Sequence, residues 1–177
     1  MQHETPEELA ARQAPVQIQR DLPDDSGLDG RLVAVSPDLL VVAEWRDFLP
    51  YGFTAVRRRE VTCVHGTPAV ELHARWVDES GQDGTQGASR AFRPNGWEAL
   101  LRELRHQREW VVVEDELSEE PLFLLGPIVD VSPEAVTLDA VDVELSRRDR
   151  EQVELDRITL VRWGGPYVRM YQRQSER

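Results

Sequence analysis

Apolar residues run along this chain in short stretches of three to ten, most of them followed within two residues by Gly, Pro, Asp or Ser. Stretches of that length with alternating or continuous apolar character predict β-strands. The pattern places strands at 16–19, 32–35, 39–45, 53–58, 61–64 and 69–77, and again at 110–114, 122–131, 135–141, 153–155, 158–163 and 167–171. In the strand at 69–77, Val70, Leu72, Ala74 and Trp76 would share a face. Residues 46–52 read as a longer connection, and 144–151 as a charged loop. Two segments follow a helical period instead. Thr5-Pro6-Glu7-Glu8 has the capping residue, the first-turn proline and the closing glutamate of a helix start, for about two turns. Trp97, Leu100, Leu101 and Leu104 stand at i, i+3, i+4 and i+7, which predicts a helix over 94–107 capped by Asn95 and docked by that stripe. Residues 78–90 are rich in Gly, Ser, Gln and Asp and predict a flexible loop.

One stretch is written twice. Gly30-Arg31-Leu32-Val33-Ala34-Val35-Ser36-Pro37-Asp38 returns as Gly126-Pro127-Ile128-Val129-Asp130-Val131-Ser132-Pro133-Glu134, an offset of 126 − 30 = 96. Glu60-Val61-Thr62-Cys63-Val64 returns as Arg157-Ile158-Thr159-Leu160-Val161, an offset of 97. Two echoes one residue out of step imply a duplicated unit with a loop insertion. Five or six short strands per copy, with a bend at the glycine, predict a small curved antiparallel barrel. The expected fold is therefore mostly β: two tandem SH3/Sm-like antiparallel barrels, a bridging α-helix and a short N-terminal helix. The expected division is an N-terminal arm 1–13, barrel one 14–77, loop and linker helix 78–109, barrel two 110–172, and a tail 173–177.

Composition narrows the function. The net charge is −12, with a pI near 4.8, and all 21 basic residues are Arg. That field disfavours nucleic acid and anionic membranes as partners. No apolar run is long enough to span a membrane, one cysteine excludes an internal disulfide, and the first residues carry no signal-peptide pattern. These features point to a cytoplasmic protein. No nucleophile elbow, phosphate-cradling loop or cofactor motif appears, so neither an enzyme nor a cofactor is expected.

The repeated Gly-x-x-Val-x-Val-Ser-Pro stretch followed by a Thr-x-Val strand resembles the SH3-like and Sm-like barrels of bacterial proteins. With Asp47-Phe48, Gly52-Phe53, Val61-Thr62, Trp97, Leu125-Gly126, Ile158-Thr159, Tyr167 and Tyr171, the tandem is similar to uncharacterised bacterial two-barrel proteins across about residues 28–172. The resemblance implies a fold and no activity. Sm proteins bind RNA, and Val64-His65-Gly66 is similar to the close of their second motif, with His where Arg or Lys stands. The Asp-x-x-x-Asn signature of that family is missing from both copies.

Candidate sites follow. Phe48 and Tyr51 are aromatics in the connection that SH3-like barrels use to hold peptides. Arg57, Arg58 and Arg59 in copy one, and Arg147, Arg148 and Arg150 in copy two, form the basic clusters. Cys63, His65 and His73 are the one soft-ligand grouping, with His73 expected on the next strand. The reading is a non-catalytic interaction or scaffold module for a protein partner. The alternative is an Sm-like single-stranded RNA binder using the arginines and His65. Homodimerisation through uncovered strand edges is also expected to be possible.

Overall fold

The computed structural model describes residues 4–22, 27–81, 94–142, 144 and 150–175. The chain is organised as the same series twice. The first half runs α1 (Pro6–Ala11), β1 (Pro15–Arg20), β2 (Leu28–Val35), β3 (Leu39–Arg46), β4 (Leu49–Arg57), a 3-10 turn (Arg58–Glu60), β5 (Val61–His65) and α2 (Pro68–Glu79). The second runs α3 (Trp97–His106), β6 (Trp110–Asp115), β7 (Leu122–Val131), β8 (Ala135–Leu138), β9 (Glu151–Glu154), β10 (Leu160–Trp163) and α4 (Pro166–Ser175).

All ten strands form one antiparallel sheet in the order β5-β1-β2-β3-β4-β10-β6-β7-β8-β9. In each half the last strand lies beside the first, and the next three follow as a meander. The two closed barrels expected from the pattern do not form. β4 pairs with β10 of the other half, so the sheet continues through a seam where Val56 faces Leu160, Ala55 faces Val161 and Phe53 faces Trp163.

The duplication extends to individual hydrogen bonds. The Ser36 N–H donates to Leu39 O at 2.9 Å and the Ser132 N–H to Ala135 O at 2.8 Å. The sheet register slips between Leu32 and Ala34 in one copy and between Ile128 and Asp130 in the other, 96 residues on. A Cβ on Gly30 would sit 2.4 Å from Ala43 O, and one on Gly126 2.4 Å from Asp139 O. Glycine is therefore required at both places because a neighbouring strand's backbone passes where a side chain would stand.

The helices are duplicated too. α1 ends through Gln13 at φ 51° and α3 through Arg108 at φ 58°. The Ala14 N–H donates to Leu9 O, as the Glu109 N–H donates to Leu104 O. The helix expected as a bridge is thus the opening helix of the second copy. Its cap is Gly96, with φ 88°, and not Asn95. Thr5 caps α1 with the expected box to Glu8.

Two expected strands are helices, at equivalent places. Residues 69–77 lie in α2, where Thr67 accepts the Val70 N–H and Pro68 occupies the first turn. Val70, Ala74 and Val77 are its buried residues, a spacing of four and three, while Trp76 points outward. Residues 167–171 lie in α4, which buries Val168 and Tyr171. In both, aromatic and branched residues at even spacing imitate a strand, but the 3.6 period prevails, helped in α2 by the Thr67 cap. The connection expected at 46–52 is a two-residue hairpin, because Asp47 and Phe48 both adopt positive φ. Most of the expected loops 78–90 and 144–151 lies outside the described residues.

Alternate residues of the central strands enter different cores. Leu39, Val41, Ala43, Phe53, Ala55, Val111, Val113 and Val161 pack with Trp97, Leu100, Leu101 and Leu104 of α3. Leu40, Val42, Val56 and Leu160 face the other way, onto Leu9 of α1 and the residues of β1 and β2. Strands covered on both faces read as unbroken apolar runs, which is why 39–43 does not alternate. The α3 stripe packs against residues of both halves, so the expected docking holds.

Candidate functional site

A polar ladder crosses the seam on the face opposite α3. Glu44 comes from β3, Thr54 from β4, Arg162 from β10 and Glu114 from β6. Thr54 stands directly opposite Arg162. The Thr54 hydroxyl donates to Glu44 Oε2, and Arg46 Nε donates to Glu44 Oε1 at 2.7 Å. Arg162 Nε lies 3.6 Å from Glu44 Oε2, and Arg162 Nη1 donates to Glu114 Oε1. Buried charges persist when each meets a partner, and here two arginines meet two carboxylates. Burial raises the Glu114 pKa above its ordinary value, against the opposing pull of Arg162. Burial works against the Arg46 charge, but Glu44 beside it prevails and the Arg46 pKa rises.

The side chains of Tyr51, Phe123 and Tyr167 wall this ladder into a pocket of about 290 Å³, with Arg46, Glu114 and Arg162 in its lining. The Arg46 guanidinium lies 4.2 Å from the centre of the Tyr51 ring. Tyr167 sits 6.4 Å from Phe123 and 5.0 Å from Tyr171. Burial and a hydrogen bond with Tyr171 push the Tyr167 phenol up to about 12. Two glycines bring the walls together. A Cβ on Gly165 would lie 2.0 Å from Tyr51 O, and one on Gly52, at φ 106°, would lie 2.5 Å from Trp163 O. β4 and the turn into α4 therefore touch backbone to backbone, which sets Tyr51 near Tyr167.

The expected site residues separate. Tyr51 lines the pocket, but Phe48 does not. Its ring packs edge-on against His73 at 4.6 Å and Trp76 at 4.9 Å, beside α2. Arg57, Arg58 and Arg59 do not present a shared basic face. Arg57 is buried and donates to Ile158 O and Leu155 O across the seam. Arg58 pairs with Glu7 at 2.7 Å, and Arg59 is 69% exposed. Arg150 is exposed, and Arg147 and Arg148 lie outside the described residues. Cys63 Sγ and His65 Nδ1 are 3.1 Å apart on β5, but His73 is on α2 against Phe48 and not on an adjoining strand. Among the described residues, no group of three or more His, Cys, Asp or Glu is placed to hold a metal ion.

Sequence reasoning missed Arg46, Glu114, Phe123 and Arg162 as one site. Only a seam between β4 and β10 brings them together, and nothing local in the chain marks that pairing. No helix among the described residues is long and apolar enough to cross a membrane. No protein-family model, curated protein or solved structure matches the chain.

Proposed function

We propose that the protein is a non-catalytic interaction module whose seam pocket holds an extended segment of a protein partner. On this reading each half is an SH3/Sm-like unit left open, its free edge taken by the other half. The supporting observation is the pocket itself, with aromatic walls over a floor whose charges are already matched. Tyrosine and phenylalanine rings supply contact area at small entropic cost. A floor of two arginines and two carboxylates has no net charge to offer an anion, so a neutral segment with apolar or proline side chains loses least on entering. Among the described residues, the pocket lining has no Ser, Cys or Thr nucleophile beside a general base, which supports a binding role over a hydrolytic one.

Titration of the full chain into an array of labelled, extended, proline-containing peptides tests this, read by the fluorescence anisotropy of the peptide label. Saturable binding that Tyr167→Ala weakens about tenfold or more is the expected result. No peptide binding, or instead a salt-dependent mobility shift with an RNA homopolymer, would overturn it.

A further inference from the structure

The seam shows what the outer edge of a last strand accepts. β10 and β5 are the last strands of the two copies. β10 has strand neighbours on both sides, β6 and β4; among the described residues, β5 has only β1. Ninety-seven residues before Leu160, Val161, Arg162 and Trp163 stand Cys63, Val64, His65 and Gly66. The surroundings repeat as well. The Leu155 N–H donates to Glu134 O at 2.7 Å, and the Arg58 N–H donates to Asp38 O at 2.8 Å. Thr159 Oγ1 donates to Glu114 O, and Thr62 Oγ1 to Gln19 O, each at 3.2 Å.

We infer that β5 is a strand acceptor that takes an extended, basic segment of another protein by β-addition, with an arginine as its clamp. In the seam, the incoming strand β4 ends on Arg57, whose guanidinium donates to Ile158 O at 3.0 Å and to Leu155 O at 2.7 Å. Those carbonyls correspond to Val61 and Arg58 in the first copy. Arg58 O accepts the Val61 N–H and keeps a second lone pair. β4 also brings Phe53, which stacks on Trp163 at 5.6 Å. Gly66 stands where Trp163 does, and a Cβ there would meet nothing nearer than Pro15 O at 3.7 Å. Copy one therefore has no side chain at the place that Trp163 fills in copy two.

A second copy does not supply that strand. Its corresponding strand is β9, and β8 pairs Ala135 with Glu154 where β3 pairs Leu39 with Arg57. β9 would set the Glu154 carboxylate against carbonyl oxygens, a repulsive contact.

The inference does not depend on the seam pocket, and its test is separate. A fluorescein-labelled peptide with the sequence of residues 49–57, which is β4 with its arginine, is titrated into the full chain by fluorescence anisotropy. Hydrogen exchange locates the contact. Saturable binding is expected, weakened at least about tenfold by Arg57→Glu in the peptide, with new amide protection in β5. Absence of binding, equal binding of the Arg57→Glu peptide, protection in β10 instead of β5, or self-association of the chain with β5 and β9 protected together would each overturn it.

Discussion

The Arg57 guanidinium, on the last residue of β4, caps the Ile158 carbonyl of the other half with two donors, Nε at 3.0 Å and Nη2 at 2.7 Å. The side chain is buried, and its carboxylate neighbour Glu60 lies 3.4 Å away, also buried. Removing the guanidinium would leave carbonyls of Leu155 and Ile158 short of a donor and Glu60 without its nearest cation. Arg57→Ala should lower stability by about 3 kcal/mol, within the range for breaking buried charged hydrogen bonds. The urea midpoint of the variant measures it, and a loss below 1 kcal/mol would mean that Arg57 does little at the seam.

Glu60 gives a pH dependence with a definite sign. Burial raises its pKa above the ordinary 4.5, more than Arg57 and Arg59 lower it. A carboxyl whose pKa is raised on folding holds its proton more tightly in the native state. Its contribution is fully present below pH 4.5 and is lost as pH rises through the folded value. Glu60→Gln removes that loss. The variant should be more stable than the wild type at pH 7, and the difference should shrink as pH falls towards 4.5. Thermal melts of both proteins across pH 4–8 follow this, and a constant difference would exclude it.

The twin glycines test the duplication. A Cβ at Gly30 or at Gly126 meets a backbone oxygen at 2.4 Å, so neither place can yield by turning a side chain. Gly30→Ala and Gly126→Ala should each cost about 2 kcal/mol or more, of similar size, through overpacking against a strand. Denaturant curves for the two variants would show it. A neutral effect at one site only would mean that the two surroundings are not alike.

How far the sequence could be read is clear from these places. The Ser-Pro turns and the α3 stripe are local patterns, and each appears where expected; at Gly30 and Gly126, where a bend is expected, a neighbouring strand's backbone passes close by. α2 and α4 were hidden because Trp76 and Tyr167 supply strand-like residues at strand-like spacing. The caps at Thr67 and Pro68 carried the better signal. The seam was not legible at all. It joins Phe53 to Trp163, more than a hundred positions apart, and the chain marks neither strand as an edge or a partner. Since the pocket exists only at that seam, Arg46 and Arg162 read as surface charges until β4 and β10 are side by side.

The Leu104 side chain on α3 is fully enclosed among residues of both halves. Leu104→Ala should therefore destabilise the whole molecule, by about 2–5 kcal/mol. Circular dichroism, which reports the sheet, and tryptophan fluorescence, to which five residues in both halves contribute, should shift together. Separate midpoints for the two probes would indicate that the halves melt independently.

The central claim is that the ten strands form one sheet, held through the β4–β10 seam. Native-state hydrogen exchange measures this most directly, by comparing amides of β4 and β10 with those of β3 and β6 under increasing denaturant. The account predicts that bonded amides at the seam open only with global unfolding and share its free energy. Seam amides that exchange at a lower free energy, while β3 and β6 stay protected, would show two halves that part from each other and would contradict it.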